Sequence, residues 1–323
     1  VHGDDFDNGF LAYSILWWIS AVLLLSLFVA YTILPEMRQF PRRLVIGLTF
    51  GQLLIAIAAI GSSVQDFESF YCEDEWTLSS NGWCRGAGFM FVFGSLIASF
   101  YWWWQTFVLW WNVGLLASHE KLLKLEWVMH AITWIVATVV TFVLFGLDHL
   151  GARTAQPYCF TFDTTAELEW GVVFFWYFAF CVFVPGLLLW VMARIWKEST
   201  LEQSRWERSR YQVQLGLFAL AYFVSIIVIV SFRFWVETHQ SDVEDGAAAY
   251  YECIIRAQQT EEQCEDLLVY VDRNLWWASL ILLSVQGLWP FIVFGILNFQ
   301  LHNVCRQRVT SITNSADQHS GAR

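Results

Sequence analysis

Seven cysteines are the residues of this 323-residue chain best equipped for covalent chemistry. Cys72, Cys84, Cys159, Cys253 and Cys264 fall in or beside polar segments that separate long apolar stretches, whereas Cys181 lies inside one such stretch and Cys305 follows the last. In an oxidising compartment the first five would form disulfides. Cys84 and Cys159 are placed to pair and would pin one loop over the mouth of a helix bundle. Cys253 and Cys264, with ten residues between them, would close a second loop. A ring of that size gains about 3 kcal/mol in the loop-entropy treatment. Cys72 is left as an unpaired outer cysteine; its expected partner is a cysteine upstream of Val1, and the alternative is a free thiol.

Other reactive chemistry finds no support. His119, His130, His149, His239, His302 and His319 are scattered, without the paired spacing of metal ligands. There is no Gly-rich phosphate loop and no nucleophile motif with partners. Glu167 with Glu169, and Glu261 with Glu262, read as solvated loop acids. The only lysines are Lys121, Lys124 and Lys197, none placed at membrane depth to form a Schiff base. Gln52, Gln105, Asn112, Gln286 and His130 make a thin mid-depth polar set, too thin for an ion or proton pathway. The expectation is that the chain is not an enzyme, holds no metal and has no cofactor beyond a bound lipid or sterol.

The elements that position these residues are membrane helices. The chain is 57% hydrophobic and only 15% charged. Seven stretches have the length and apolarity of spans: about 10–34, 44–64, 86–117, 125–147, 168–196, 211–236 and 275–301. Residues 1–9 would be an extracellular lead-in, and 302–323 a cytoplasmic amphipathic segment followed by a tail. With 37–43, 119–124, 197–210, the tail and the helix ends beside them on one side, that side holds 13 of the 18 Lys and Arg and 7 of the 29 acids. The positive side is cytoplasmic, so the amino terminus lies outside. The net charge of -11 then sits almost wholly on the outer face, which argues against nucleic acid. It could favour a basic ligand; the plainer reading is a solvated acidic rim. Gly47 and Gly51 form a small-xxx-small pair suited to close helix packing.

The third span is the expected central post. Trp102, Trp103 and Trp104 point three ways from it, and with Gln105 they are a candidate lipid or sterol groove; plain packing is the competing reading. The surrounding segment, IASFYWWWQTFVLWWNVGLLASHEKL, resembles the third helix and second inner loop of the Frizzled/Smoothened family of seven-transmembrane receptors. That family has a small-residue turn (here Ala98-Ser99), a Trp pair (within Trp102–Trp104), a second Trp region and a closing Gly-His-Glu (here Ser118-His119-Glu120). FPRRLVIGLTFGQLLIA is similar to the family's second helix and RSRYQVQLGLFALAYFVSIIVIV to its sixth. The cyclic-AMP-receptor-like group shares the topology and is the nearest alternative.

The chain departs from the family at its switch. The resemblance implies a basic residue low in the sixth helix that meets a tryptophan low in the seventh; here Gln214 and Val293 stand at those positions. The family's Lys-Thr-x-x-x-Trp segment, which recruits Dishevelled, is replaced by GILNFQLHN.

Taken together, these features lead to an all-α membrane protein, a seven-transmembrane helix bundle of G-protein-coupled receptor type. Its expected place is the plasma membrane or another secretory-pathway membrane. A Frizzled-like signalling receptor is expected, sensing an unknown ligand outside and engaging a heterotrimeric G protein inside. Arg42, Arg43, Lys121, Arg205, Arg208 and Arg210 are the candidate inner coupling surface, with anionic-lipid anchoring as the competing role. The competing function is a non-signalling structural or assembly subunit of a membrane complex that keeps the receptor fold.

Overall fold

The computed structural model describes residues 3–64, 72–74, 77–78, 82–115, 119–151, 158–161, 175–198, 206–239, 242, 245–246, 249 and 273–296. Within them run seven long helices: α1 (Gly3–Ile33), α2 (Arg43–Val64), α3 (Gly82–Leu109), α4 (His119–Gly146), α5 (Phe175–Glu198), α6 (Trp206–Thr238) and α7 (Arg273–Val285). α3 continues into a π-helical turn, Trp110–Gly114. α7 continues past Gly287 into Leu288–Pro290 and a π-helical turn, Phe291–Ile296. Two short antiparallel hairpins lie between helices: β1 (Cys72–Asp74) with β2 (Thr77–Leu78), and β3 (Leu150–Gly151) with β4 (Phe160–Thr161).

By length and hydropathy, α1 to α4 can each cross a membrane, and α7 with its extension, bent by 44°, makes a fifth candidate among the described residues. The apolar runs of α5 and α6 are shorter, Val182–Val191 and Leu220–Val236. Their inner ends carry charge within the same helix: Arg194, Lys197 and Glu198 on α5, and Glu207, Arg208 and Arg210 on α6. Several helices start earlier than their apolar stretches. α4 begins at His119, so the sequence HEKLLKLE contributes its first turns instead of forming a loop. α1 begins at Gly3, inside the acidic lead-in; Asp4, Asp5 and Asp7 fall near a helix amino terminus, where negative charge favours the helix dipole. α5 runs as one helix through Pro185.

α3 is the central post. It touches α2, α4, α5, α6 and both strands of the β3–β4 hairpin. Two-thirds of its apolar window (67%) is buried, against 28% for α1 and for α4. The latter two therefore face lipid with residues such as Val22, Leu25, Ile135, Val139 and Phe142. α2 lies closest to α3. A Cβ on Gly51 would stand 2.6 Å from the Ala98 nitrogen and the Gly94 carbonyl oxygen, and a Cβ on Gly47 would overlap the Tyr101 ring. The small-xxx-small pair thus packs within the bundle, backbone to backbone at Gly51 and against the Tyr101 ring at Gly47.

α1 braces the bend in α7. Pro290 has no N–H to offer the Gln286 carbonyl, which loosens the helix there. Ser20 Oγ donates to the Ser284 carbonyl at 2.8 Å, and Tyr31 Oη to the Phe294 carbonyl at 3.2 Å.

Candidate functional site

The functional site suggested by the geometry is a cavity between the helices at the end of the bundle that carries the disulfide, called here the outer end. Cys84, in the first turn of α3, is bonded to Cys159 beside β4, 75 positions further along the sequence, with Cα atoms 5.4 Å apart. The tether holds the β3–β4 hairpin against α3. Tyr158 stacks on Phe91 with ring centroids 4.7 Å apart, and Phe160 meets the edge of the same ring at 5.5 Å. Gly88 makes room: a Cβ there would lie 3.3 Å from the Phe160 carbonyl oxygen.

Beneath this lid is a cavity of about 60 Å³. Tyr158 and Phe160 form its roof, and its walls come from α2 (Ile55), α3 (Phe91, Ser95), α6 (Tyr222, Ile226, Arg233) and α7 (Leu283, Gln286). At its floor Gln52 Nε2 donates to Tyr222 Oη at 3.0 Å, and the Tyr222 ring lies 4.6 Å from that of Trp102. A polar seam is associated with this floor. Gln52 Oε1, Ser99 Oγ, Trp102 Nε1 and both amide atoms of Gln105 are buried without a hydrogen-bond partner among the described residues. Each such group costs free energy unless it gains a partner.

The tryptophans do point three ways, and all three are engaged in packing. Trp102 is fully buried against α6; Trp103 stacks on Phe180 of α5; Trp104 Nε1 donates to Thr133 Oγ1 of α4 at 3.0 Å. Trp102 and Trp104 fill the bundle's own interfaces, and Trp103 is half-buried.

On the opposite, inner side, the first-loop arginines serve the loop itself. Arg42 donates to the Glu36 carbonyl at 3.0 Å and Arg43 to the Arg38 carbonyl at 2.9 Å. Arg43 also pairs with Glu126 of α4 at 3.1 Å. From Glu126 the chain of contacts runs to His130 at 3.7 Å, which shares a 2.6 Å hydrogen bond with Tyr101 of α3. Lys121 is exposed. Arg205, Cys253 and Cys264 lie outside the described residues, as do the side chains of Cys72, Arg208, Arg210 and Gln214 and everything after residue 296. Val293 is 4% exposed, beside Phe294, whose ring meets Phe218 of α6 at 5.3 Å.

Sequence reasoning missed Arg233, which is 3% exposed although charged. Its signal was a lone arginine within the apolar stretch 211–236. It also missed the outer ion pair of Arg85 with Asp148 at 2.8 Å, with the Arg85 guanidinium over the Phe145 ring. Among the described residues no group of three or more His, Cys, Asp or Glu side chains could hold a metal ion.

Two comparisons bear on this architecture. A family model described as the Frizzled/Smoothened family membrane region matches residues 4–289. Frizzled-2 of Caenorhabditis elegans is 20% identical over 241 residues, which are 70% of this chain and 41% of that protein. The chain therefore spans less than half the length of the curated relative it matches.

Proposed function

The chain belongs to the Frizzled/Smoothened family, and from that premise we propose that it is a signalling receptor that senses a ligand at its outer cavity and engages a heterotrimeric G protein at its inner face. Membership makes it an integral membrane protein of the plasma membrane or another secretory-pathway membrane, in contact with lipid along α1 and α4. The observation that carries the functional reading is the composition of the cavity wall. It joins a disulfide-tethered lid to α2, α3, α6 and α7. A ligand there would touch the central post and α6, one of the two helices, with α5, whose outward movement would open an inner cleft. Any preference for one arrangement of those helices becomes a shift in their equilibrium. On the inner side, Lys121, Arg205, Arg208 and Arg210 are the basic residues proposed to meet the partner, because Arg42 and Arg43 already hold the first loop.

A second reading rests on the switch positions. Gln214 and Val293 replace the basic and tryptophan residues that the family resemblance implies, and Val293 is buried. A bundle that has lost its switch could serve as an assembly subunit. Affinity capture from gently solubilised native membranes, with mass spectrometry, separates the two. A G-protein subunit that is released by guanine nucleotide supports the receptor. A fixed-stoichiometry set of membrane proteins, indifferent to nucleotide, replaces it with the assembly subunit.

A further inference from the structure

Two polar side chains on the wall of the outer cavity have no partner among the described residues. Ser95 of α3 and Gln286 of α7 both line it, and each is 6% exposed. Neither side chain hydrogen-bonds another described residue. The cavity's other polar groups are committed. Tyr222 Oη accepts from Gln52. Arg233, the one charged residue of the wall, already has an interaction of its own. The remaining wall is aliphatic and aromatic carbon, including the rings of Phe91, Tyr158 and Phe160. A hydroxyl and a carboxamide each donate and accept hydrogen bonds. Left unpaired inside a protein, such groups cost free energy. An occupant that relieves this cost must be neutral, must donate and accept, and must be small. A hydrocarbon leaves both groups unpaired. An ion needs a counter-charge, and the wall's one charge is engaged. A core cavity that admits benzene measures about 150 Å³. This one, at about 60 Å³, is too small for six ring atoms or for a chain of as many. A buried water needs about 10–15 Å³ and two to four polar partners, so about four fit by volume.

We infer that the cavity is a water site, in which ordered water molecules join Ser95 of α3 to Gln286 of α7 beneath the disulfide-tethered lid. Its position gives the bridge a mechanical role. Gln286 stands at the bend of α7, four residues before Pro290, and its carbonyl lacks the helical donor that any other residue at 290 would supply. Inside membrane proteins, ordered water is one of the partners that satisfy groups freed in this way. A bridging water is enthalpically nearly as good as a direct hydrogen bond. Unlike a side-chain contact, it can rearrange when α7 shifts against α3, so the two helices stay joined through the movement. The bridge belongs to the bundle whether or not the bundle signals.

The test uses the full chain in neutral lipid nanodiscs and a brief X-ray pulse that turns water into hydroxyl radical, with mass spectrometry of the products. A radical born in a bound water attacks the nearest rings. Phe91 lies on the cavity wall and Phe180 does not, and they are equally buried, at 5% and 4% exposure. Phe91 is expected to be hydroxylated several-fold faster than Phe180. Gln286→Met keeps the side chain's length and helix propensity and removes its hydrogen bonds. With water in place, Tm is expected to fall by about 2–4 °C. In a dry cavity the same change deletes an unpaired polar group, and Tm rises. Ser95→Leu fills the space and is expected to bring Phe91 down to the rate of Phe180; if that variant fails to fold, the other two measurements still decide. Equal rates for Phe91 and Phe180 in the unaltered chain, a Tm that holds or rises in Gln286→Met, or undiminished Phe91 labelling in folded Ser95→Leu overturns the assignment. All three are read without any G protein. A chain that shows the water site but yields no nucleotide-sensitive capture keeps this inference and loses the receptor; the reverse result loses the inference and keeps the receptor.

Discussion

The α2–α3 contact sets the sharpest mechanical demand in the bundle. A Cβ added at Gly51 would stand 2.6 Å from two backbone atoms of α3, the Ala98 nitrogen and the Gly94 carbonyl oxygen. Backbone atoms cannot rotate away, so Gly51→Ala must push the helices apart. Ordinary contact begins near 3.4 Å, and the difference, 3.4 − 2.6, is 0.8 Å. Overpacking of this kind costs about 1–3 kcal/mol. The upper half of that range is expected here, because α3 is buried on several sides and cannot give way without disturbing α4, α5 and α6. Gly61→Ala is the internal control. It lies on the same helix, and a Cβ there meets nothing within 4 Å. Removing that glycine should be neutral or stabilise α2 by up to about 1 kcal/mol. Thermal unfolding of both variants in the same detergent, followed by near-ultraviolet circular dichroism, measures the difference. A Gly51→Ala protein as stable as Gly61→Ala would mean that α2 and α3 do not meet backbone to backbone, and the placement of the cavity wall on α2 would fall with it.

Two further outcomes are expected. Replacing Cys84 and Cys159 together by serine removes a cross-link over a sequence separation of 75, worth about 4 kcal/mol in the loop-entropy treatment; the β3–β4 hairpin should become cleavable by protease, and unchanged cleavage and melting would mean that the roof is held by the Tyr158–Phe91 stack alone. Gly287→Ala places a Cβ 2.9 Å from that of Ser20 and should move α7 off α1; the expected result is a changed distance between spin labels at the inner ends of α6 and α7, and a loss of stability without any change in that distance would show that the bend does not transmit motion.

Much of this architecture can be read from composition, because lipid imposes a constraint that acts residue by residue. A helix in hydrocarbon must be apolar over about twenty positions, so spans are visible in one dimension. The Cys84–Cys159 disulfide and the Gly47/Gly51 packing face are legible for related reasons: few residue types can do those jobs. What could not be read depends on which helix lies beside which. His130 looks like an isolated polar residue until α3 brings Tyr101 to its ring and α2 brings Arg43 to Glu126 one turn away. Gln52 and Tyr222 are 170 residues apart and share a hydrogen bond. Arg233 looks like an ordinary span-end arginine, which would reach for the headgroups, yet its burial follows from the neighbours of α6 rather than from α6 itself. Trp102 and Trp103 are adjacent in sequence and pack against different helices, a distinction that the helical period implies but cannot assign.

The resemblance implies that Gln214 and Val293 stand where the family has its switch pair, and on that reading something else must hold the resting arrangement. A cation against a tryptophan face can contribute about 2 kcal/mol or more when desolvated, and the resemblance implies such a pair between the sixth and seventh helices. Here the described ties are weaker: near the inner end of α7 the Phe294–Phe218 ring contact to α6 and the Tyr31 hydrogen bond to α1, and above the bend the Ser20 hydrogen bond to α1. Hydrogen bonds between membrane helices average about 0.6 kcal/mol. Among the described residues α7 is held from both sides, by α1 and by α6. Meanwhile Gln286, at the bend, lines the cavity, and the next residue, Gly287, rests on Ser20. A ligand that pulled Gln286 or Arg233 would act on α7 and α6 where both line the cavity. In the receptor reading, the missing switch pair moves control from the inner end of the bundle to the cavity and the α1–α7 brace, so a modest difference in ligand affinity between two arrangements suffices to shift the balance.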